Sequence, residues 1–237
     1  MQRSAPVRKP WKGAAMFDAK LPSDAEARAN ILEAGRRMHA KDYCAANDGN
    51  ISCRTADGAI WVTPSGVSKG YMDEETLVKV DLGGNILEQR PDRGISSEIN
   101  LHLAVYRNRP DVNAVVHAHP PLSTAFACAR MDMDRPVVCE AVLNLGTVPC
   151  APFAPPGSAG LAESIVPFLR GHAAVLLANH GAVTWGASME QAYFRLETLE
   201  YYAKMLILTG LGPKAHLLDE GERKAVEDAR ARYGIVL

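Results

Sequence analysis

Residues 112 to 121 read VNAVVHAHPP, and no other stretch constrains the fold as strongly. Val112 to Val116 has the β-branched bias of a buried strand. Alternate strand residues share a face, so His117 and His119 point the same way. Ala118 leaves the opposite face small, and Pro120-Pro121 ends the strand. Two same-face imidazoles at a strand end are either satisfied by core and solvent partners or grip one ion.

The surrounding pattern supplies a sheet and its cover. A first helix is expected from about Ser23 to Lys41, with Ser23 and Glu26 as a capping box and Ala27, Ile31, Ala34 and Met38 at helical spacing. Turn chemistry at Asp48-Gly49 places NDGNISCR in a loop. AIWVTP reads as a strand entering a turn at PSG, and LVKVDLGGNILEQ as a hairpin about Gly83-Gly84-Asn85. SSEINLHLAVYRN reads as a helix opened by a serine cap. Further helices are expected over Leu122 to Ala129, Ala159 to Leu169, Ser188 to about Thr209 and Asp219 to Tyr233, with strands at VPCAP and AAVLLAN. The pattern gives one α/β domain over 23–237, a mixed sheet covered by helices, preceded by a poorly ordered basic arm at 1–22.

Bulk properties narrow the function. The 237 residues carry a net charge of −1, which gives no electrostatic case for nucleic acid or a membrane surface. No apolar run approaches the roughly 20 residues of a membrane span, and the N-terminal segment lacks the apolar core of a signal peptide. Five cysteines, an odd number without C-x-x-C, suit reduced thiols and a cytoplasmic location.

A third strand-end histidine, His180, follows AAVLLAN and precedes a glycine. On its own it is a turn histidine; with His117 and His119 it completes a zinc triad with an open fourth position. An ion held in this way acts as a Lewis acid on a carbonyl. Neither H-E-x-x-H nor the further aspartate of a metallo-β-lactamase signature is present. Glu98 in ISSEINLH is the acid/base candidate, although a first-turn glutamate also answers the helix dipole. Ser96 and Ser97 beside it, with free helix-start N–H groups, make an anion site. GNIS offers Gly49, the Asn50 amide and Ser52; TPSG offers Ser65 and close backbone approach at Gly66. Each of these loops is otherwise an ordinary turn.

GNIS, TPSG, SSE, HAH and NHG occur in the order found in the class II aldolase/adducin family, and from about Ser23 onward the chain resembles its L-fuculose-1-phosphate aldolase branch. The resemblance implies a three-layer α/β/α sandwich around a largely antiparallel mixed sheet. It implies a homotetramer with active sites between subunits. By position, His117, His119 and His180 would be metal ligands holding one Zn²⁺ per subunit, with another divalent metal as the alternative. Glu98 would be the acid/base, touching the metal before substrate arrives. Gly49, Asn50, Ser65, Gly66, Ser96 and Ser97 resemble the phosphate-binding loops. Tyr233 in RYGIVL matches a tail tyrosine that reaches a neighbouring site.

The implied reaction is reversible cleavage of a 1-phosphoketose, a small-molecule sugar phosphate, to dihydroxyacetone phosphate and an aldehyde. Glu98 would deliver the proton to carbon. One departure stands out: RPVVCEAVLNLG has no tyrosine near residue 138, where the aldolase branch often carries one. Within the superfamily, a ribulose-5-phosphate 4-epimerase-like enzyme, a decarboxylase or a dehydratase is the alternative. Outside enzymes, the alternative is a non-catalytic adducin-like interaction domain, which would lack the full histidine set.

Overall fold

The computed structural model describes residues 21–212 and 214–237, so the expected arm lies outside them except for Leu21 and Pro22. In chain order the elements are α1 (Asp24–Ala40), β1 (Asn50–Arg54), β2 (Ile60–Val62), β3 (Val78–Val80), β4 (Ile86–Glu88), α2 (Ile99–Asn108), β5 (Ala114–Ala118), α3 (Pro121–Ala129), α4 (Cys139–Asn144), β6 (Cys150–Ala151), α5 (Ala159–Ile165), β7 (Ala174–Leu177), β8 (Gly181–Gly186), α6 (Met189–Leu211) and α7 (Glu220–Asp228). The strands form one sheet in the order β4-β3-β2-β1-β5-β8-β7-β6. All pairings are antiparallel except β6 with β7. This is the three-layer, largely antiparallel α/β/α architecture.

Strand alternation builds the two outer layers. Val115, Val175, Leu177, Val183 and Trp185 face α2 and α5, packing on Leu101, Val105, Leu161 and Ile165. On the other face, Ile51, Cys53, Trp61, Ala114, Val116 and Ala118 meet α1 and the first half of α6. Ala174, Leu176 and Ala182 extend that face toward α3, α4 and the later turns of α6. His117 lies between Val116 and Ala118, so alternation turns it to the α2 side. Among the described residues, no helix is long and apolar enough to cross a membrane.

Local chemistry sets the element ends. The capping box at the start of α1 is complete: Ser23 Oγ accepts from the Glu26 N–H, and the Glu26 carboxylate accepts from the Ser23 N–H. The β3–β4 hairpin closes with the Asp81 N–H donating to the Asn85 carbonyl at 3.0 Å. After Pro120, the Glu200 carboxylate accepts the Leu122 and Ser123 N–H groups at 2.8 Å each, capping the otherwise unpaired start of α3.

Four features depart from the expectations. NISCR is the strand β1 rather than a loop. Residues 181–186 form the fully buried strand β8, and residues 139–144 form the short helix α4. The expected serine cap of α2 is replaced by Glu98 at the N-cap, whose side chain makes no capping bond. The Glu98 carboxylate is engaged elsewhere, and Ser96 Oγ accepts the Glu98 N–H at 3.3 Å instead.

Candidate active site

The antiparallel register of three neighbouring strands assembles the site. His117 on β5 sits opposite Asn50 on β1 and opposite Val183 on β8. His119 follows β5 directly, and His180 occupies the tight turn from β7 into β8. Two glycines permit this closeness. A side-chain carbon on Gly181 would stand 2.5 Å from the Ala118 carbonyl oxygen and 2.5 Å from the His119 ring. Gly49 has φ +78°, and a side-chain carbon there would meet the His117 carbonyl oxygen at 2.8 Å.

The three imidazoles converge as the sequence implied. Their ring centroids are 4.7 to 4.9 Å apart, and one nitrogen from each lies within 4.8 Å of the other two. His117 Nδ1 donates to the Ala182 carbonyl at 2.9 Å, so in the neutral ring Nε2 is the lone-pair donor. That nitrogen is 3.2 Å from His119 Nε2. On its far side His119 Nδ1 is 3.6 Å from an Asp48 carboxylate oxygen. Burial, with the neighbouring histidines, pushes His119 down to about 3 and His180 down to about 4. Both rings are therefore neutral at pH 7 and can act as ligands.

Glu98 faces this cluster. Its Oε2 is 3.2 Å from His117 Nε2, and its Oε1 is 3.4 Å from His180 Nε2. Burial raises the carboxyl, but the His117 and His180 rings and the Asn50 amide outweigh it and hold Glu98 well below the usual carboxylate range. Glu98 Oε1 and His180 Nδ1 are buried without a hydrogen-bond partner among the described residues. Buried polar atoms left open beside three convergent nitrogens are what a divalent cation and its remaining ligands would satisfy. The donor set fits such an ion.

The loops around Glu98 are tied together. The Ser65 N–H donates to the Gly94 carbonyl at 2.9 Å, and Pro64 pairs with Ile95, which docks the TPSG turn on the segment leading into Ser96 and Ser97. Ser65, Gly66 and Ser97 are exposed, Gly49 is partly exposed and Ser96 is buried. Gly66 has φ +73° and open space around its α-carbon. Asn50 differs from the rest. Its register on β1 turns it inward, where its Nδ2 donates to Glu98 Oε2 at 2.9 Å and its Oδ1 meets His102 Nε2.

Tyr233 is half exposed and is not brought to the histidines of its own chain. The adjoining Gly234 and Val236 line a cleft with Asp111, Asn113 and Gly186, at the opposite end of β5 from His117.

Sequence reading missed several residues. Lys69 is buried and donates to the carbonyls of Asn47 (2.7 Å) and Val67 (2.8 Å), joining the two glycine-containing loops. Burial lowers the pKa of its ammonium. His102 and Tyr106 recur every fourth residue after Glu98, an E-x₃-H-x₃-Y stripe that helical spacing could have flagged.

Comparison with known proteins agrees with this geometry. The family model described as Class II Aldolase and Adducin N-terminal domain matches residues 29–207. The chain is 35% identical over 198 residues to the 3-oxo-tetronate 4-phosphate decarboxylase of Pectobacterium atrosepticum, covering 81% of this chain and 89% of that protein. It is 34% identical over 170 residues to an L-fuculose phosphate aldolase of Methanococcus maripaludis, covering 72% and 90%. The crystal structure of YgbL from Klebsiella pneumoniae superposes with a TM-score of 0.80 at 29% identity, covering 86% of this chain and 99% of that one. The chain belongs to the class II aldolase and adducin family.

Proposed function

We propose that the chain is a zinc-dependent carbon–carbon lyase that forms and protonates the enediolate of dihydroxyacetone phosphate. The observation that carries this reading is the Glu98 carboxylate, set 3.2 and 3.4 Å from two of three convergent imidazoles. A base beside a divalent-ion site, with anion-accepting loops next to it, matches proton transfer to and from a carbon adjacent to a carbonyl.

The substrate in this reading is a 1-phosphoketose. Ser65, Gly66, Ser96, Ser97 and Gly49 receive the phosphate, and His117, His119 and His180 hold the ion. When bound, the ion supplies Lewis acidity at the C2 carbonyl. Loss of the C4 hydroxyl proton breaks the C3–C4 bond, and an aldehyde leaves with its electrons placed on the three-carbon fragment. Glu98 takes up a proton from solvent as the enediolate forms and delivers it to C3, giving dihydroxyacetone phosphate. Tyr233 from a second copy, in a tetramer with sites between subunits, handles the proton at the aldehyde oxygen.

Two observations favour a second reading in which the leaving group is CO₂. Relatives named as decarboxylases are 35% identical. No tyrosine stands near residue 138, where Val138 opens α4 with Cys139 next to it. Loss of CO₂ from a 3-oxo-tetronate 4-phosphate leaves the same three-carbon enediolate and requires no proton at a departing oxygen. Both substrates, offered separately to the zinc-loaded protein, distinguish the readings. Aldehyde with dihydroxyacetone phosphate from the ketose supports the aldolase, and CO₂ with dihydroxyacetone phosphate supports the decarboxylase. Failure to form dihydroxyacetone phosphate from either substrate would remove both.

A further inference from the structure

Behind Glu98 runs a row of buried polar side chains that the proposed reaction does not use. Glu98, His102 and Tyr106 follow one another at four-residue intervals up α2, while Asn50, Ser52 and Arg54 alternate along the facing edge of β1. Four helical residues rise about 6 Å and two strand residues about 6.6 Å, so the two rows keep step. Ser52 Oγ lies 2.6 Å from His102 Nδ1 and 2.8 Å from the Tyr106 hydroxyl. Asn50 Oδ1 meets His102 Nε2, and Asn50 Nδ2 is 2.9 Å from Glu98 Oε2. Arg54 closes the row, donating to the Tyr106 carbonyl at 3.0 Å with its guanidinium over the Tyr106 ring. His102 and Ser52 are fully buried, and Asn50, Tyr106 and Glu98 nearly so.

The donor and acceptor inventory leaves one consistent direction for this chain. Ionised Glu98 only accepts, so Asn50 presents its NH₂ to Glu98 and its carbonyl to His102. His102 Nε2 must then carry the proton, and Nδ1 must accept. Ser52 spends its proton on Nδ1 and accepts from Tyr106. With His102 in the other tautomer, Asn50 would have to turn over, placing its oxygen against Glu98 Oε2. Two acceptors at that separation repel, and the carboxylate would be driven from its place between His117 and His180.

We propose that His102, fixed by Ser52 and Tyr106, is a positioning residue: through Asn50 it holds one oxygen of Glu98 still and leaves the other, Oε1, for the reaction. The inference rests on the reading of Glu98 as the proton carrier, but the hydrogen-bond order can be tested without it.

Three measurements on the full-length zinc-loaded protein decide the matter. The first is ¹⁵N NMR of the His102 ring, where the Nε2–H tautomer is expected and an Nδ1–H tautomer would overturn the order. The second is the crystal structures of His102→Leu and His102→Gln. Leucine removes the donor, so Asn50 and the Glu98 carboxylate should shift, whereas glutamine restores an N–H and should leave them in place. Unmoved Asn50 and Glu98 in the leucine variant would overturn the proposal. The third is deuterium incorporation into dihydroxyacetone phosphate in D₂O. The leucine variant should lose about 10² in kcat at unchanged KM and zinc content, and the glutamine variant should recover to within about fivefold of wild type, within the range for a general acid/base step. Equal losses in both variants, with native folding, would reduce His102 to a packing residue. Absence of exchange in wild type would instead remove the proton-carrier reading, leaving the tautomer and the two structures to decide the positioning. If the leucine variant does not fold, Ser52→Ala replaces it: a loosened His102 ring, shifted Asn50 and Glu98 side chains and a falling kcat are expected, and unmoved Asn50 and Glu98 with an unchanged rate would overturn the inference.

Discussion

Asn50 faces His117 across the β1–β5 ladder while its side chain reaches Glu98 at 2.9 Å. One residue thus links the sheet register to Glu98, the proposed acid/base group, and the neighbouring glycine lets the ladder close. Gly49→Ala should disturb both, because its side-chain carbon would press on the His117 carbonyl oxygen at 2.8 Å. Gly66→Ala is the control: its φ is also positive, but nothing lies within 4 Å. The left-handed conformation alone costs about 1–2 kcal/mol. Denaturant unfolding should show about that loss for Gly66→Ala and a larger one for Gly49→Ala. Zinc titration should weaken only for Gly49→Ala, and equal affinities in the two variants would separate Gly49 from the metal site.

Removing a proposed ligand tests the ion directly. His119→Ala should lose stoichiometric zinc, read by elemental analysis, together with activity. Full metal content with full turnover would place His119 outside the site.

The proposed phosphate loops make a prediction in two dimensions. Hydrogen bonds to a charged group are worth about 1.5–3 kcal/mol. Ser97→Ala should therefore lower kcat/KM by roughly tenfold or more for a phosphorylated ketose and far less for its unphosphorylated analogue. Equal losses on both substrates would make Ser97 a structural residue.

Acid should destabilise the fold through its buried neutral histidines. Burial, with the adjacent His117, holds His102 down at about 3 in the folded protein, against about 6.5 in an unfolded chain. The unfolded state takes up the proton first, so this contribution is intact above pH 6.5 and is lost as the pH falls toward 3. Between pH 6.5 and 4 one such group removes about 3 kcal/mol. Unfolding free energies measured across that range should fall with acidification, and the slope should diminish in His102→Gln. A flat profile would mean that His102 is protonated in the folded state.

Much of the fold could be read from the sequence, because its signals are local. The Ser23/Glu26 box, the Gly83-Gly84-Asn85 hairpin and the long apolar stripe of α6 each announce an element without reference to the rest. Strand β1 hid because its inward face is polar. Asn50 and Ser52 are buried by bonding to α2, so NISCR shows no apolar alternation on that side. Strand β8 hid behind Gly181 and Gly186, which read as turn residues but are required by close packing. The three histidines and Glu98 were visible from spacing and family resemblance. The inward turn of Asn50 was not, because a sequence shows that an amide is present and a strand register decides where it points.

The most direct measurement is deuterium exchange at the hydroxymethyl carbon of dihydroxyacetone phosphate in D₂O, which requires neither an aldehyde nor CO₂. Zinc-dependent exchange is expected of the wild-type protein, with a loss of about 10² to 10⁴ in rate for Glu98→Gln at unchanged zinc content. Exchange by Glu98→Gln at the wild-type rate, or none by the zinc-loaded wild type, would contradict it.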